Sequence, residues 1–210
     1  EEALARAGGR IDALFNNGAY AIPGFLEDVP PAAMQAIFSA NFLGWHDLTR
    51  RLLPAMRARG AGRIVQCSSV LGLAAVRWRG AYVATKFALE GYSDALRLEL
   101  AGSGVHVALI EPGPIATRFN DNALAQFERW IDPEASPHRA ELAEIRRRYG
   151  GAGGANPFTL GPEAVTRKLI HAVESARPRA RYSVTTPTFV VAALRRLAPR
   201  ALLDAVMARN

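Results

Sequence analysis

Two short apolar runs, Gly62–Ser69 and Val105–Ile110, enclose a stretch whose apolar residues recur at helical spacing: Val83, Phe87, Leu89, Tyr92, Leu96 and Leu100. Near-continuous apolar runs suit strands covered on both faces, and the intervening spacing predicts an amphipathic helix from Ala81 to about Ala101. Strand, helix, strand in that order is the unit of a parallel sheet with helices packed on its faces. The chain therefore reads as α/β, a doubly wound parallel sheet. Its 210 residues, 50% of them hydrophobic, are one domain's worth of chain with material for a sizeable core.

Tyr82 and Lys86 stand four residues apart on the central helix and share a face. An ammonium beside a phenol favours the phenolate. A free tyrosine titrates near ~10, so a base working near neutrality needs a shift of about 3 units, roughly 4 kcal/mol, more than one lysine easily supplies. The spacing alone is a weak motif. It gains weight because Lys86 is one of only two lysines, with Lys168, in a chain that otherwise uses arginine. A guanidinium does not replace a compact, mobile ammonium in this role. Ser69 ends the preceding strand, at the carboxyl end where α/β proteins place ligands. Its neighbour Ser68 falls on the opposite face by strand alternation.

Taken together, Arg63-Ile-Val-Gln-Cys-Ser-Ser-Val-Leu-Gly72, Tyr82-x-x-x-Lys86 and Glu111-Pro-Gly-Pro-Ile-Ala-Thr117 resemble the short-chain dehydrogenase/reductase family, densely from about Arg10 to Arg118. The resemblance implies a Rossmann-like oxidoreductase that interconverts an alcohol and a ketone or aldehyde, with hydride passing to or from the nicotinamide of NAD(P). It implies that Tyr82 exchanges the proton and that Lys86 lowers its pKa and binds the nicotinamide ribose. An oxidised nicotinamide ring would add the second positive charge. Ser69 would orient the substrate oxygen, and Asn41 would hold a water in the proton relay. An interior asparagine satisfied by a backbone carbonyl is the plainer account of Asn41. Asn16-Asn17-Gly18-Ala19 resembles the family's Asn-Asn-Ala-Gly turn with its last two residues exchanged, which moves the position able to take φ > 0. By the resemblance this turn steadies the sheet and lines the adenosine side. The loop Pro112-Gly113-Pro114-Ile115-Ala116-Thr117 would hold the nicotinamide carboxamide through the Ile115 backbone and the Thr117 hydroxyl. Phe87-Ala-Leu-Glu-Gly91 and Leu109-Ile-Glu-Pro-Gly113 look most like the branch acting on hydroxysteroids, retinoids and other lipophilic alcohols or aldehydes. NADP is slightly preferred over NAD, and a homodimer or homotetramer is expected.

The chain opens on helical turns stopped by Gly8-Gly9, then a strand at Ile11–Phe15, with no strand ahead of the first helix and no glycine-rich phosphate loop at a strand-to-helix turn. We therefore expect a partial domain lacking the first two βα units, about 60 or more residues at ~30 per βαβ unit. Ile11–Phe15 would then be an open sheet edge, and the isolated chain would be poorly soluble and inactive alone. A helix is expected from Pro31 to about Arg59 with a kink at Pro54, a helix over Pro162–Ala176, an edge strand over Tyr182–Thr186 and a C-terminal helix over 188–207. Residues 119–160 resemble the family's variable substrate lid, and plain helix packing accounts for their aromatics equally well. Gly150–Gly154 reads as a flexible loop after a helix. His46 reads as structural, His106 as a surface residue and Cys67 as a small core residue that has no partner for a disulfide. The formal charge of +7 comes from scattered arginines, with Arg146-Arg147-Arg148 the one tight cluster, which argues against a nucleic-acid partner. No run approaches the ~20 apolar residues of a membrane span, and the expected location is cytoplasmic. No metal site is expected. A non-catalytic scaffold of the same fold is the alternative reading.

Overall fold

The computed structural model describes residues 2–152 and 156–207. Strands β1 (Ala13–Asn16), β2 (Gly62–Cys67), β3 (Val105–Glu111) and β4 (Arg181–Ser183) form one sheet in the order β1-β2-β3-β4. All neighbours are parallel, with Phe15 beside Val65, Val65 beside Ala108 and Ile110 beside Tyr182. Among the described residues β1 pairs with β2 alone, so it is a sheet edge. The helices are α1 (Glu2–Arg6), α2 (Pro31–Phe38), α3 (Gly44–Ala58), α4 (Gly80–Glu99), α5 (Phe119–Trp130), α6 (Arg139–Arg147), α7 (Glu163–Glu174), α8 (Thr186–Leu197) and α9 (Arg200–Met207).

Strand alternation sorts the core onto two faces. Ile64 and Val107 pack with Leu52 and Met56 of α3 and Leu96 of α4, whereas their neighbours Val65 and Ala108 pack with Ala164 and Ala172 of α7. Helices thus cover both sides, which is the doubly wound arrangement. A third cluster joins Ile22 and Ile37 to Tyr82 and to Phe127, Leu142 and Ile145 of the expected lid region.

Several boundaries differ from expectation. The helix expected from Pro31 to Arg59 is interrupted, and the irregularity lies around Asn41 while Pro54 sits inside α3. A π-turn spans Ser39–Leu43, where the Gly44 N–H reaches back five residues to the Ser39 carbonyl. Such turns are frequent at functional positions in helices. The single helix expected over 188–207 is two. Ala198 precedes Pro199 and takes an extended conformation (φ −98°, ψ 147°), the geometry that proline's ring imposes on its neighbour, and this parts α8 from α9. The last strand ends at Ser183, because Thr185 already caps α8. Of the glycine run, Gly150 and Gly151 lie in a π-turn over Arg148–Ala152; the rest falls outside the described residues. No helix among the described residues is long and apolar enough to cross a membrane.

Candidate active site

Because the strands run parallel, Asn16–Ala19, Ser68-Ser69 and Pro112–Thr117 leave β1, β2 and β3 on one edge of the sheet. Helix α4 starts at the same edge and brings Tyr82 to Ser69. Ser69 is extended (φ −165°, ψ 160°), and its Oγ accepts from the Leu71 amide at 3.1 Å, capping a 3₁₀ turn over Val70–Gly72. Its hydroxyl also lies close enough to the Tyr82 phenol to favour the phenolate. Both residues are buried.

Lys86 is 1% exposed, an amine enclosed almost completely. Its Nζ donates to the Cys67 carbonyl at 2.7 Å and lies 4.6 Å from the Trp45 ring centroid and 5.5 Å from that of Tyr82. Burial pushes its pKa down to about 8, against the opposing pull of Cys67 and Glu90. The Tyr82 phenol moves the other way from expectation. Burial raises its pKa, with Cys67 and Tyr149 adding to the rise, and the help from Ser69 and Arg79 does not compensate. Desolvation penalises a phenolate more than these neighbours favour it. A base working near neutrality therefore needs further positive charge beside the phenol.

The other expected residues divide. Asn41 is fully buried. Its amide is committed to Tyr20, accepting from the Tyr20 N–H at 3.1 Å and donating to the Tyr20 carbonyl at 2.9 Å, and it donates to Thr85 Oγ1 at 3.2 Å. Both amide protons are used. Asn16 points into the molecule, donating to Gln66 at 2.9 Å and Thr49 at 3.4 Å, and ties β1 to β2 and α3. The Gly18 carbonyl accepts from Trp45 Nε1 at 3.1 Å. Neither Gly18 nor Ala19 has positive φ, so the exchanged order carries no conformational cost. Gly18, Ala19 and Tyr20 line a pocket of about 380 Å³ with Ala40 and Asn122, and Asn17 is exposed. In the third loop, Thr117 Oγ1 accepts from the Phe119 amide at 3.3 Å, and Ile115 pairs with Leu160. Gly113 allows the loop to approach α8, since a Cβ there would stand 2.1 Å from Thr185 Oγ1. His46 contacts the Tyr92 hydroxyl at 3.2 Å, and His106 is exposed.

Sequence reasoning missed two features. Glu90 and Asp94 extend the four-residue spacing of Tyr82 and Lys86 along α4, and both meet Arg181 of β4. Following that spacing onward would have found them, but not the arginine. The second feature is how the expected lid region meets the loop ahead of α4. Arg148 lies 5.5 Å from the Trp78 ring while Arg79 lies 5.6 Å from the Tyr149 ring, so two adjacent pairs interlock. Trp78 takes φ 63°, strained for a bulky residue. Trp78 Nε1 and Tyr149 Oη are buried with no hydrogen-bond partner among the described residues.

Comparison with known proteins agrees with this geometry. The sequence model of the family described as short chain dehydrogenase matches residues 1–127. The chain is 45% identical over 207 residues to the uncharacterized oxidoreductase YbbO of Escherichia coli, covering 99% of this chain and 71% of that protein. It is 34% identical over 194 residues to retinol dehydrogenase 8 of Bos taurus, covering 91% of this chain and 62% of that protein. A short-chain dehydrogenase/reductase from Burkholderia phymatum, solved in complex with NAD, superposes with a TM-score of 0.76 at 26% identity, over 99% of this chain and 71% of that one. On its sequence and its fold, the chain belongs to the short-chain dehydrogenase/reductase family of oxidoreductases.

Proposed function

We propose that the protein containing this chain interconverts an alcohol and a ketone or aldehyde on a lipophilic substrate, using NAD(P). The observation that carries the reading is the meeting of the Ser69 and Tyr82 hydroxyls beside a buried Lys86 at the carboxyl edge of a parallel sheet. The residues present fit the nicotinamide end of the cofactor. Lys86 brings three N–H donors and uses one hydrogen bond among the described residues, leaving donors for ribose hydroxyls. The Ile115 backbone and Thr117 hydroxyl are the candidates for its carboxamide. When bound, the cofactor supplies or accepts the hydride, and its oxidised ring adds positive charge.

Tyr82 gives the proton to a carbonyl oxygen or takes it from an alcohol. Ser69 orients that oxygen and stabilises charge on it. Asn41 is proposed to contribute to the relay through its place in the π-turn, its side chain being committed to Tyr20. The apolar preference is supported by Phe119, whose ring stands edge-on to Tyr82 at 5.4 Å, and by Phe25 and Trp78 nearby. The names of relatives agree: retinol dehydrogenase 8, and human 17-beta-hydroxysteroid dehydrogenase type 1 at 31% identity. We further propose one domain with 119–160 as a substrate lid, a cytoplasmic homodimer or homotetramer, and NADP slightly ahead of NAD.

Tyr82→Phe tests the reading. Turnover should fall about 10²- to 10⁴-fold while cofactor affinity holds, because only the proton donor is lost. Unchanged turnover would remove Tyr82 from this role.

A further inference from the structure

Tyr82, Lys86, Glu90 and Asp94 stand at successive four-residue steps on one face of α4. The first two belong to the candidate active site. The last two lead into an ionic network under it. Arg181 of β4 pairs with Glu90, with Glu111 at 2.7 Å and with Asp94 at 2.7 Å, and Asp94 also meets Arg97 at 2.8 Å. Counting Lys86, three cations face three carboxylates. The Glu90 and Glu111 side chains are 6% and 2% exposed, so their charges are largely out of water.

Glu90 also reaches the loop that carries Ser69. Ser68 donates from its hydroxyl to Glu90 Oε1, and its backbone N–H is fixed to the Ile110 carbonyl at 2.8 Å. Gly72 closes over the same carboxylate. A Cβ there would stand 2.7 Å from Ser68 Oγ and 2.9 Å from Glu90 Cγ, so the loop lies against Glu90 without room for a side chain.

Resting on the function proposed above, we infer that Glu90 is a positioning residue. Held by Ser68 on one side and Arg181 on the other, it fixes the Ser69 loop and supplies the counter-charge to the Lys86 ammonium one helical turn away. A buried ammonium needs such a partner to stay charged. Lys86 faces Tyr82 and Glu90 on α4, Cys67 on β2 and the uncharged Trp45 ring on α3. Of these groups, Glu90 is the carboxylate. Glu90 itself faces Ser68, Arg181 and Glu111.

Glu90→Gln keeps the shape of the side chain and removes its charge. Lys86 should then lose its proton at lower pH, moving the alkaline limb of the kcat profile down by ~1 pH unit. At the original optimum kcat should fall by ~10-fold, with cofactor affinity little changed. Glu90→Asp, which keeps the charge, should restore most of the limb. Lysine ¹³Cε NMR follows the Lys86 titration directly and should show the same downward shift without relying on turnover. A merely structural role would lower activity uniformly across pH and leave Lys86 titrating as in the wild type; that result, or an unaltered profile, overturns the inference. If Glu90→Gln does not fold, Ser68→Ala cuts the tie to the Ser69 loop and should lower kcat several-fold with KM little changed; wild-type kcat overturns the inference. Tyr82→Phe, run in parallel, separates the two readings. Retained turnover there sinks the proposed function, whereas an inactive Tyr82→Phe beside a wild-type Glu90→Gln sinks only the role of Glu90.

Discussion

The two sides of Tyr82 are built differently. Towards the sheet lies the face of α4 where Glu90 and Asp94 pair with Arg181, which also pairs with Glu111, one helical turn beyond Lys86. Towards the lid the contacts are aromatic: Phe119 against Tyr82, Phe25 against Trp78, Arg79 and Arg148 over Tyr149 and Trp78. On the sheet side Glu90 and Glu111 each have more than one polar partner, although Arg63 Nε and Gln66 Nε2 of β2 are buried without one among the described residues. The lid side leaves Trp78 Nε1 and Tyr149 Oη without partners and holds Trp78 at φ 63°. Networks that are fully paired hold one geometry, while orphaned donors and strained backbone mark places where a structure is arranged for something other than its own stability. The contrast supports the proposal that the sheet side is the fixed frame of the chemistry and that the proposed lid side accommodates the substrate.

Arg181→Met should produce the largest effect, because it leaves Glu90 and Glu111 buried without their cation. A loss of about 3 kcal/mol in denaturant-melt stability is expected, the low end for a broken buried pair because the guanidinium is 36% exposed. A change below about 1 kcal/mol, the range of a surface pair, would show that the network is no frame. Gly72→Ala should come next, at roughly 1–3 kcal/mol, since the added methyl is forced against Ser68 and Glu90. Its activity loss should exceed that of a surface Gly→Ala change; a neutral result would mean that the Ser69 loop is free to shift. Smallest in stability is Tyr149→Phe on the lid side, which removes an unpartnered hydroxyl and should be neutral or stabilising by up to ~1 kcal/mol. Its kcat/KM should nevertheless fall. A stability loss without a kinetic effect would erase the distinction between the two sides.

Much of the fold was legible because period reports burial directly. Helix α4 and strands β2 and β3 lie within two residues of where spacing put them, and Gly8 and Gly9 have positive φ at the helix stop, as glycine stops require. Boundaries depart from periodicity where a local backbone constraint overrides it. Apolar spacing runs on across Pro199, whereas the proline holds Ala198 extended and ends α8 there. The π-turn at Ser39–Leu43 left no mark in the apolar pattern, since the buried stripe continues through it. At the site, the four-residue steps from Tyr82 to Asp94 were on the page, whereas the direction of the Tyr82 shift was not. Spacing reports which charge is near but not how much water is gone, and here burial outweighs the neighbours.

By itself, then, the sequence determined the α/β class, the helix that pairs Tyr82 with Lys86 and the loops at the strand ends, because these follow from periodicity and from residues close in the chain. Only the tertiary structure decided that Asn41 turns to the Tyr20 backbone, that Asn16 braces the sheet, and that Arg181 arrives between Glu90 and Glu111. Those partners lie between about twenty and ninety residues apart, and hydrogen-bond geometry at that range is set by how the layers pack, which no local pattern encodes.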